Sequence, residues 1–209
     1  YHRRWRVRLK KKIAIIGAGF FGCTIFKNLA KRNINVSLFE KNKDILNGAT
    51  TNNLNRIHYG YHYPRDIETV DQSKLGYKIF KKNYPKAVVK NFKNYYCISN
   101  EGKISFVKYL NFCAENNLKN KIISPRKFNL KNKNIDGILE VKENAYDWDC
   151  LRDILKSEIK RQKSGHIFLN HEVKNINKIG KNYSLKFLDK SLEFDYVINC
   201  SFENINNIS

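Results

Sequence analysis

The stretch Lys12-Ile13-Ala14-Ile15-Ile16-Gly17-Ala18-Gly19-Phe20-Phe21-Gly22 decides how the rest of the chain is read. Its first five residues are mostly apolar and rich in Ile, the pattern of a short buried strand. They run straight into a G-x-G-x-x-G turn. Thr24 to Arg32 then reads as a helix with Ile25, Phe26, Leu29 and Ala30 apolar, and Asn35 to Phe39 reads as a second strand ending at Glu40. Glycines in this pattern mean little alone. Between a strand and a helix, with an acidic residue about 20 residues further on, they are a strong signal for a dinucleotide. Gly17 permits the tight turn, Gly19 lets the backbone approach a pyrophosphate, and Gly22 lets the helix pack closely on the strand. The diphosphate then meets the free N–H groups and positive dipole end of the helix, beside Phe20 and Phe21. Glu40, with Lys41 next to it, accepts from ribose hydroxyls, and its charge disfavours the 2′-phosphate of NADP.

Beyond this opening, Asp44 to Arg65 is a long polar connection dense in Asn, Thr, His and Tyr. Such a connection within a compact domain is usually functional. Helices are expected over Ile67 to Lys82, stopping near Pro85, over Ser105 to Asn116, and after Asp147 or Asp149 with Leu151, Ile154, Leu155 and Ile159 on one face. Strands are expected at Tyr95 to Ser99, Ile167 to Leu169, Val173 to Ile179, Tyr183 to Leu188 and Phe194 to Asn199. Gly180-Lys181-Asn182 and Asp189-Lys190-Ser191 supply turns between the last three. There is no internal repeat and no low-complexity linker.

At 209 residues the chain suits one compact body with a single substantial core. Its formal charge of +21 points first to phosphates, on nucleic acid or an anionic membrane. The lysines are spread along the whole chain among many Asn and Ile, however, and only His2 to Lys12 is a true basic block. With no helix-turn-helix, RNA-binding or zinc-finger signature, neither a nucleic-acid nor a membrane partner is expected. The five cysteines, Cys23, Cys97, Cys113, Cys150 and Cys200, are scattered without a CxxC pair, which suits a reducing cytoplasm and suggests no metal site. The basic block followed by Ile13 to Phe26 imitates a secretory signal, but the run carries patterned glycines and no cleavage site follows. It is also shorter than the roughly 20 apolar residues that cross a bilayer. The chain lacks an initiator Met, so its true start is expected elsewhere, and residues 1–11 are expected to be a leader outside the fold.

The fingerprint does not by itself separate NAD from FAD. The next segment does. Gly48-Ala49-Thr50-Thr51-Asn52-Asn53-Leu54-Asn55-Arg56-Ile57-His58-Tyr59-Gly60-Tyr61-His62-Tyr63-Pro64-Arg65 resembles a block of FAD-dependent oxidoreductases of the D-amino-acid oxidase superfamily, where it passes beside the flavin. GAGFFGCTI, LFEKN, NRIHYGYHYPR with Glu68-Thr69, the strand-and-Ser-helix segment Tyr95 to Phe112, the segment Glu143 to Leu151 and the closing strand Phe194 to Asn199 extend the resemblance over nearly the whole chain. It implies an α/β architecture: a Rossmann-type FAD/NAD(P)-binding domain, residues 12–66 and 147–209, interrupted by a partial substrate-side α+β insertion, residues 67–146.

Carried over residue by residue, the resemblance places Gly17, Gly19 and Gly22 on the pyrophosphate and Glu40 on the adenosine ribose. Thr50 and Thr51 meet the diphosphate or ribityl chain, and Asn55, Arg56, Ile57 and His58 run along the isoalloxazine ring. The backbone of Val173 meets the adenine, and Cys200-Ser201 stands where a small pair lies near the cofactor. Three departures stand out. Phe26 replaces a small residue and Asn33 replaces the glycine that usually ends the helix, so the helix is expected slightly off the sheet. The remaining substrate-domain strands and a last flavin segment come after the position of Ser209 in that superfamily and are missing.

The chemistry implied is hydride transfer to flavin N5 from a C–H next to nitrogen or oxygen of a small-molecule substrate. Candidates for orienting that substrate are His58, Tyr61, His62 and Arg65, with Tyr63 beside them. Arg65 suits a carboxylate and a histidine suits a proton. The plainer alternative is that Tyr61 to Pro64 forms a turn packed under the flavin. His58 and His62 are four apart, but Gly60 and Pro64 oppose a helix and no third ligand is near, so no metal is expected. Trp148 and the aromatics near Tyr95 read as core. Rival readings are a nucleotide-binding fragment without turnover and a basic nucleic-acid binder. The oligomeric state stays open.

Overall fold

The computed structural model describes residues 11–91, 93–128 and 134–208. In chain order, its elements are β1 (Lys12–Ile16), α1 (Phe20–Lys31), β2 (Asn35–Phe39), β3 (Arg56–Ile57), α2 (Ile67–Asn83), β4 (Asn94–Ser99), α3 (Phe106–Glu115) and β5 (Asn120–Ile123). They continue with β6 (Ile135–Val141), β7 (Asn144–Ala145), α4 (Trp148–Lys160), β8 (Gly165–Phe168), β9 (Asn175–Ile179), β10 (Asn182–Lys186), β11 (Ser191–Phe194) and β12 (Tyr196–Asn199). They form two compact units rather than the single body expected from length: residues up to Asn53 together with Arg152 onward, and Leu54–Leu151 between them. Residues 54–66 and 147–151, expected with the first unit, cluster with the second. Most of the basic leader lies outside the described residues; its last member, Lys11, is described and pairs with Asp195 at 2.8 Å.

The first unit is built on a parallel sheet in the order β12-β1-β2-β8. Strands alternate their side chains between faces. Val36 therefore lies on the α1 side with Ile15, while Ala14, Ile16 and Phe39 point the other way. There they meet Leu185 and Phe194 of the antiparallel sheet β11-β10-β9, with Phe187, just past β10, and Val173 in the same buried cluster. Phe39 stacks on Phe168 with ring centres 5.0 Å apart.

Two departures from expectation have steric causes. The helix does not sit off the sheet: a Cβ on Gly22 would lie 1.9 Å from the Gly17 carbonyl oxygen. Phe26, buried to 1% exposure, is accommodated because Gly165 has no side chain; a Cβ there would lie 2.6 Å from the Phe26 ring. Asn33, with φ of 57°, takes the left-handed position that a glycine would otherwise hold, so the helix ends as usual. The single strand expected over Phe194 to Asn199 is two strands in two sheets, parted at Asp195. The Asp195 carboxylate accepts from the Lys12 N–H at 2.8 Å, and its own N–H donates to the Lys12 carbonyl. Both bonds pin the break to the start of β1.

The second unit carries an antiparallel sheet, β4-β6-β5, a short pair, β3-β7, and helices α2 and α3. Asp66 caps α2 by accepting from the Thr69 N–H at 3.1 Å, and Ser105 caps α3 by accepting from Lys108. Its core gathers Tyr61, Val70, Tyr109, Phe112, Cys113, Leu118, Leu139 and Val141. Two buried tyrosine hydroxyls tie that core to backbone: Tyr61 donates to the Lys119 carbonyl and Tyr109 to the Tyr61 carbonyl, each at 2.6 Å.

Candidate functional site

In the first unit the site forms where β1 ends. Gly17 has φ of 95°, and Gly19 is the N-cap of α1 in extended conformation, so β1 turns sharply into the helix. The first turn of α1 carries no acidic residue, and its glycine cap contributes no side-chain hydrogen bond to the helix start. The positive end of the helix dipole is therefore left without a charged side chain of that turn. A Cβ built on Gly19 would meet nothing nearer than the Thr50 hydroxyl oxygen at 3.8 Å, an ordinary contact, so the backbone there is not crowded. Thr50 reaches the same place and accepts from the Phe20 N–H at 3.3 Å. Thr51 turns away and donates its hydroxyl to the Leu46 carbonyl.

Glu40, at the end of β2, is buried. One carboxylate oxygen accepts from the Ala18 N–H at 2.7 Å, and the other from the N–H and side-chain amide of Asn42, both at 2.9 Å. The carboxylate is thus locked beside the glycine turn by neutral donors, with lone pairs remaining for hydroxyls. Lys41 points elsewhere, 3.7 Å from Glu203. Cys200 and Ser201 lie against the turn: a Cβ on Gly17 would be 2.7 Å from the Cys200 carbonyl oxygen and 3.3 Å from the Ser201 Cα. Val173 has its side chain in the apolar core. Phe21 is exposed. Burial pushes the Cys23 thiol up to about 12 and raises that of Cys200, so both stay protonated. An uncrowded glycine turn, a helix start whose glycine cap carries no side chain, a hydroxyl beside it and a fixed carboxylate suit a dinucleotide diphosphate and its ribose.

In the second unit, β3 carries the half-buried Arg56 and the buried Ile57, and His58 follows directly after it. Asn55, with φ of 51°, precedes this strand and its carbonyl accepts from the Tyr146 N–H. His58, His62, Tyr63 and Tyr96 form an aromatic group: His58 lies 5.7 Å from His62 and 6.1 Å from Tyr63, and His62 lies 6.4 Å from Tyr96. The Arg56 guanidinium sits 5.1 Å from the Tyr96 ring centre. Arg65 is exposed and lines a cavity of about 410 Å³ together with His62, Tyr63, Tyr96 and Lys103. Tyr61 differs from the other candidates in its burial. It lines the same cavity as His62 and Arg65, but the residue is fully buried and its hydroxyl donates to the Lys119 carbonyl at 2.6 Å. Trp148 is half-buried and Tyr95 packs on Phe128, away from the histidines.

The residue that sequence reading missed here is Glu143. Its side chain is 0% exposed, and its carboxylate accepts from the Tyr59 N–H at 2.9 Å and the Tyr96 hydroxyl at 3.1 Å. His58 Nδ1 lies 3.5 Å from the same oxygen that takes the Tyr59 N–H. Burial would raise this carboxyl, but His58, the Tyr59 amide and Tyr96 together hold it below its ordinary value. Among the described residues no three His, Cys, Asp or Glu side chains gather as a metal site. Nor, among them, is any helix long and apolar enough to cross a membrane.

A parallel sheet whose first strand turns through spaced glycines into a helix, with a carboxylate closing the second strand, defines a dinucleotide-binding protein of the Rossmann type. The chain belongs to the FAD-dependent oxidoreductase family, DAO, whose model matches residues 12–201. The FAD-dependent monooxygenase kojA of Aspergillus flavus is 33% identical over 116 residues, which cover 53% of this chain and 27% of that protein. Glycine oxidase from Geobacillus kaustophilus superimposes with a TM-score of 0.72 at 14% identity, over 91% of this chain and 55% of its own. L-alpha-glycerophosphate oxidase from Mycoplasma pneumoniae, with FAD bound, gives 0.63 at 20% identity, over 90% and 52%. This chain therefore spans about a quarter of that curated relative and about half of each solved structure. The cofactor of the family is FAD, and the donors around Gly17 to Gly22 and Glu40 fit it.

Proposed function

We propose that this chain is the cofactor-binding portion of an enzyme that oxidises a carbon bearing nitrogen or oxygen on a small substrate. When bound, FAD supplies a hydride acceptor at N5. The protein's own contribution is placement and proton handling. The N–H groups at the start of α1 bind the diphosphate over Gly19, and the Thr50 hydroxyl flanks it. Glu40 accepts from the adenosine ribose and repels a 2′-phosphate. Asn55, Arg56, Ile57 and His58 are assigned to the flavin ring on the resemblance of their segment. His58 Nε2 takes the proton released when the substrate carbon is oxidised, and Arg65 holds a substrate carboxylate. Cys23 and Cys200, kept as thiols by burial, favour a noncovalently held cofactor.

The observation that carries this reading is the uncrowded Gly19 turn at the start of α1, flanked by the Thr50 hydroxyl, with the Glu40 carboxylate fixed 2.7 Å from the Ala18 amide. One test mixes the purified protein with FAD, removes free cofactor, records the visible spectrum, and then adds a panel of small amino acids, amines and alcohols without oxygen. Retained flavin bands that bleach with one class support the whole proposal. A protein that stays colourless with FAD overturns it. The chain's partial coverage of its relatives favours one second reading, in which it binds FAD without turnover by itself. Flavin bands that no substrate bleaches select that reading. Salt-dependent retention on DNA with no flavin uptake would select a nucleic-acid binder instead.

A further inference from the structure

Glu143 is the buried carboxylate that the cofactor site leaves unused, and its surroundings are unusual for a purely structural acid. Its carboxylate is fully removed from solvent, and its described partners are an amide, a phenol and an imidazole. A buried carboxylate persists only when paired and hydrogen-bonded. The amide and the imidazole come from adjacent residues: the Tyr59 N–H fixes Oε1 at 2.9 Å, and the preceding His58 brings Nδ1 to 3.5 Å from that same atom. The Tyr96 hydroxyl holds Oε2 from β4 at 3.1 Å, and the Asn94 side-chain amide anchors the Glu143 carbonyl at 2.9 Å. The carboxylate is therefore clamped from both sides, and the His58 ring is left 43% exposed with one nitrogen turned toward it.

We infer that Glu143 is a positioning residue for His58: it accepts from Nδ1–H and so fixes the imidazole as the tautomer whose Nε2 is free to take a proton. The inference rests on the role proposed above for His58 as proton acceptor. Which ring nitrogen carries the hydrogen is set by what its partner accepts. An oxygen that already takes one N–H offers His58 only an acceptor, so Nδ1 must be the protonated nitrogen. When Nε2 then binds the substrate proton, the imidazolium forms beside a carboxylate that balances its charge, and the proton's path ends on His58. Arg56, Tyr96, His62 and Tyr63 also face this pair. Arg56 is the opposing cation among them and lies over Tyr96 rather than on Glu143.

The test is the nitrogen NMR spectrum of the histidine side chains in the 209-residue chain, recorded at a pH where imidazoles are neutral, without FAD. The His58 signals are those missing from a His58→Asn variant. Wild-type His58 is expected as Nδ1–H. Glu143→Gln, which keeps an acceptor oxygen, is expected to retain that tautomer. Glu143→Ala is expected to lose it, with Nε2–H, the form free histidine prefers, becoming the major species. Tyr96→Phe, which removes another partner of the same carboxylate, should leave the tautomer unchanged and so marks what a packing defect alone does. Nε2–H in the wild type overturns the inference, as does an unchanged Nδ1–H in a folded Glu143→Ala protein. Should that variant not fold, the wild-type and Glu143→Gln spectra still decide. Because no flavin is present, failure here is separate from failure to bind FAD.

Discussion

Two buried carboxylates, one in each unit, show how differently the same group is used. Glu40 is held by the amides of Ala18 and Asn42, donors that carry no titratable proton. Glu143 is held by one amide, but also by the Tyr96 phenol and next to the His58 imidazole. The first arrangement makes a fixed anion that shapes a turn. The second sets an anion against a phenol and an imidazole, the arrangement from which the positioning of His58 was inferred above. On the roles proposed above, a carboxylate surrounded by amides serves as scaffolding for a ligand, and one surrounded by ionisable side chains serves proton transfer.

The largest expected effect tests whether the glycine turn itself, rather than Glu40, sets the first unit. Gly22→Ala places a Cβ 1.9 Å from the Gly17 carbonyl oxygen, a backbone atom with no rotamer to move. Relief requires α1 to lift from β1, and overpacking of this kind costs about 3 kcal/mol. Urea unfolding should show the loss, and FAD retention should vanish with it. A Gly22→Ala protein that unfolds like wild type and still takes up FAD would remove the close approach from the argument. Next is Glu143→Gln. It replaces charge-assisted hydrogen bonds to a fully buried acid with neutral ones, for an expected loss of about 2 kcal/mol at neutral pH. The Glu143 carboxyl is held below its ordinary range in the folded protein. Its stabilisation is therefore complete above that range and is lost as pH falls through the lowered value. Unfolding midpoints of wild type and Glu143→Gln should thus converge on acidification. Asp44, Asp66 and Asp195, also held low, contribute equally to both proteins and cancel. A gap that stays constant with pH would show that Glu143 acts like a neutral acceptor.

The two sites were unequally legible in the sequence for the same physical reason. Gly17, Gly19, Gly22 and Glu40 lie within one βαβ unit, where spacing and backbone geometry fix their relation, so their placement follows from the order of residues. The Glu143 cluster draws on residues 84 and 47 positions away, and nothing in a Glu between two short strands announces a histidine partner. The long polar loop marked the histidines as a group but could not sort them. Tyr61 alternates with His58, His62 and Tyr63 in one aromatic run, and burial alone separates it from them. Likewise β6 escaped notice because Gly137 interrupts its pattern, and that gap becomes intelligible only with the Phe106 ring 2.5 Å from where a Cβ would stand. The break at Asp195 depends on a bond to Lys12 from 183 residues away.

The smallest effect sharpens the division within that aromatic run. Burial pushes the Tyr61 hydroxyl up to about 12, so it stays a donor at any pH where the protein is folded, and its acceptor is the Lys119 carbonyl. Tyr61→Phe keeps the ring in the core and removes the hydroxyl's bonds to the Lys119 carbonyl and the Lys142 backbone, for an expected loss of about 1 kcal/mol. If Tyr61 is scaffold and His58 is chemistry, the variant should lower the urea midpoint at every pH by the same amount while leaving the His58 tautomer and any substrate bleaching of bound flavin untouched. Position three residues along the same segment would then count for nothing, and the partner of each side chain for everything. A Tyr61→Phe protein of normal stability whose His58 tautomer changes would reverse that assignment and place Tyr61 in the proton path with Glu143.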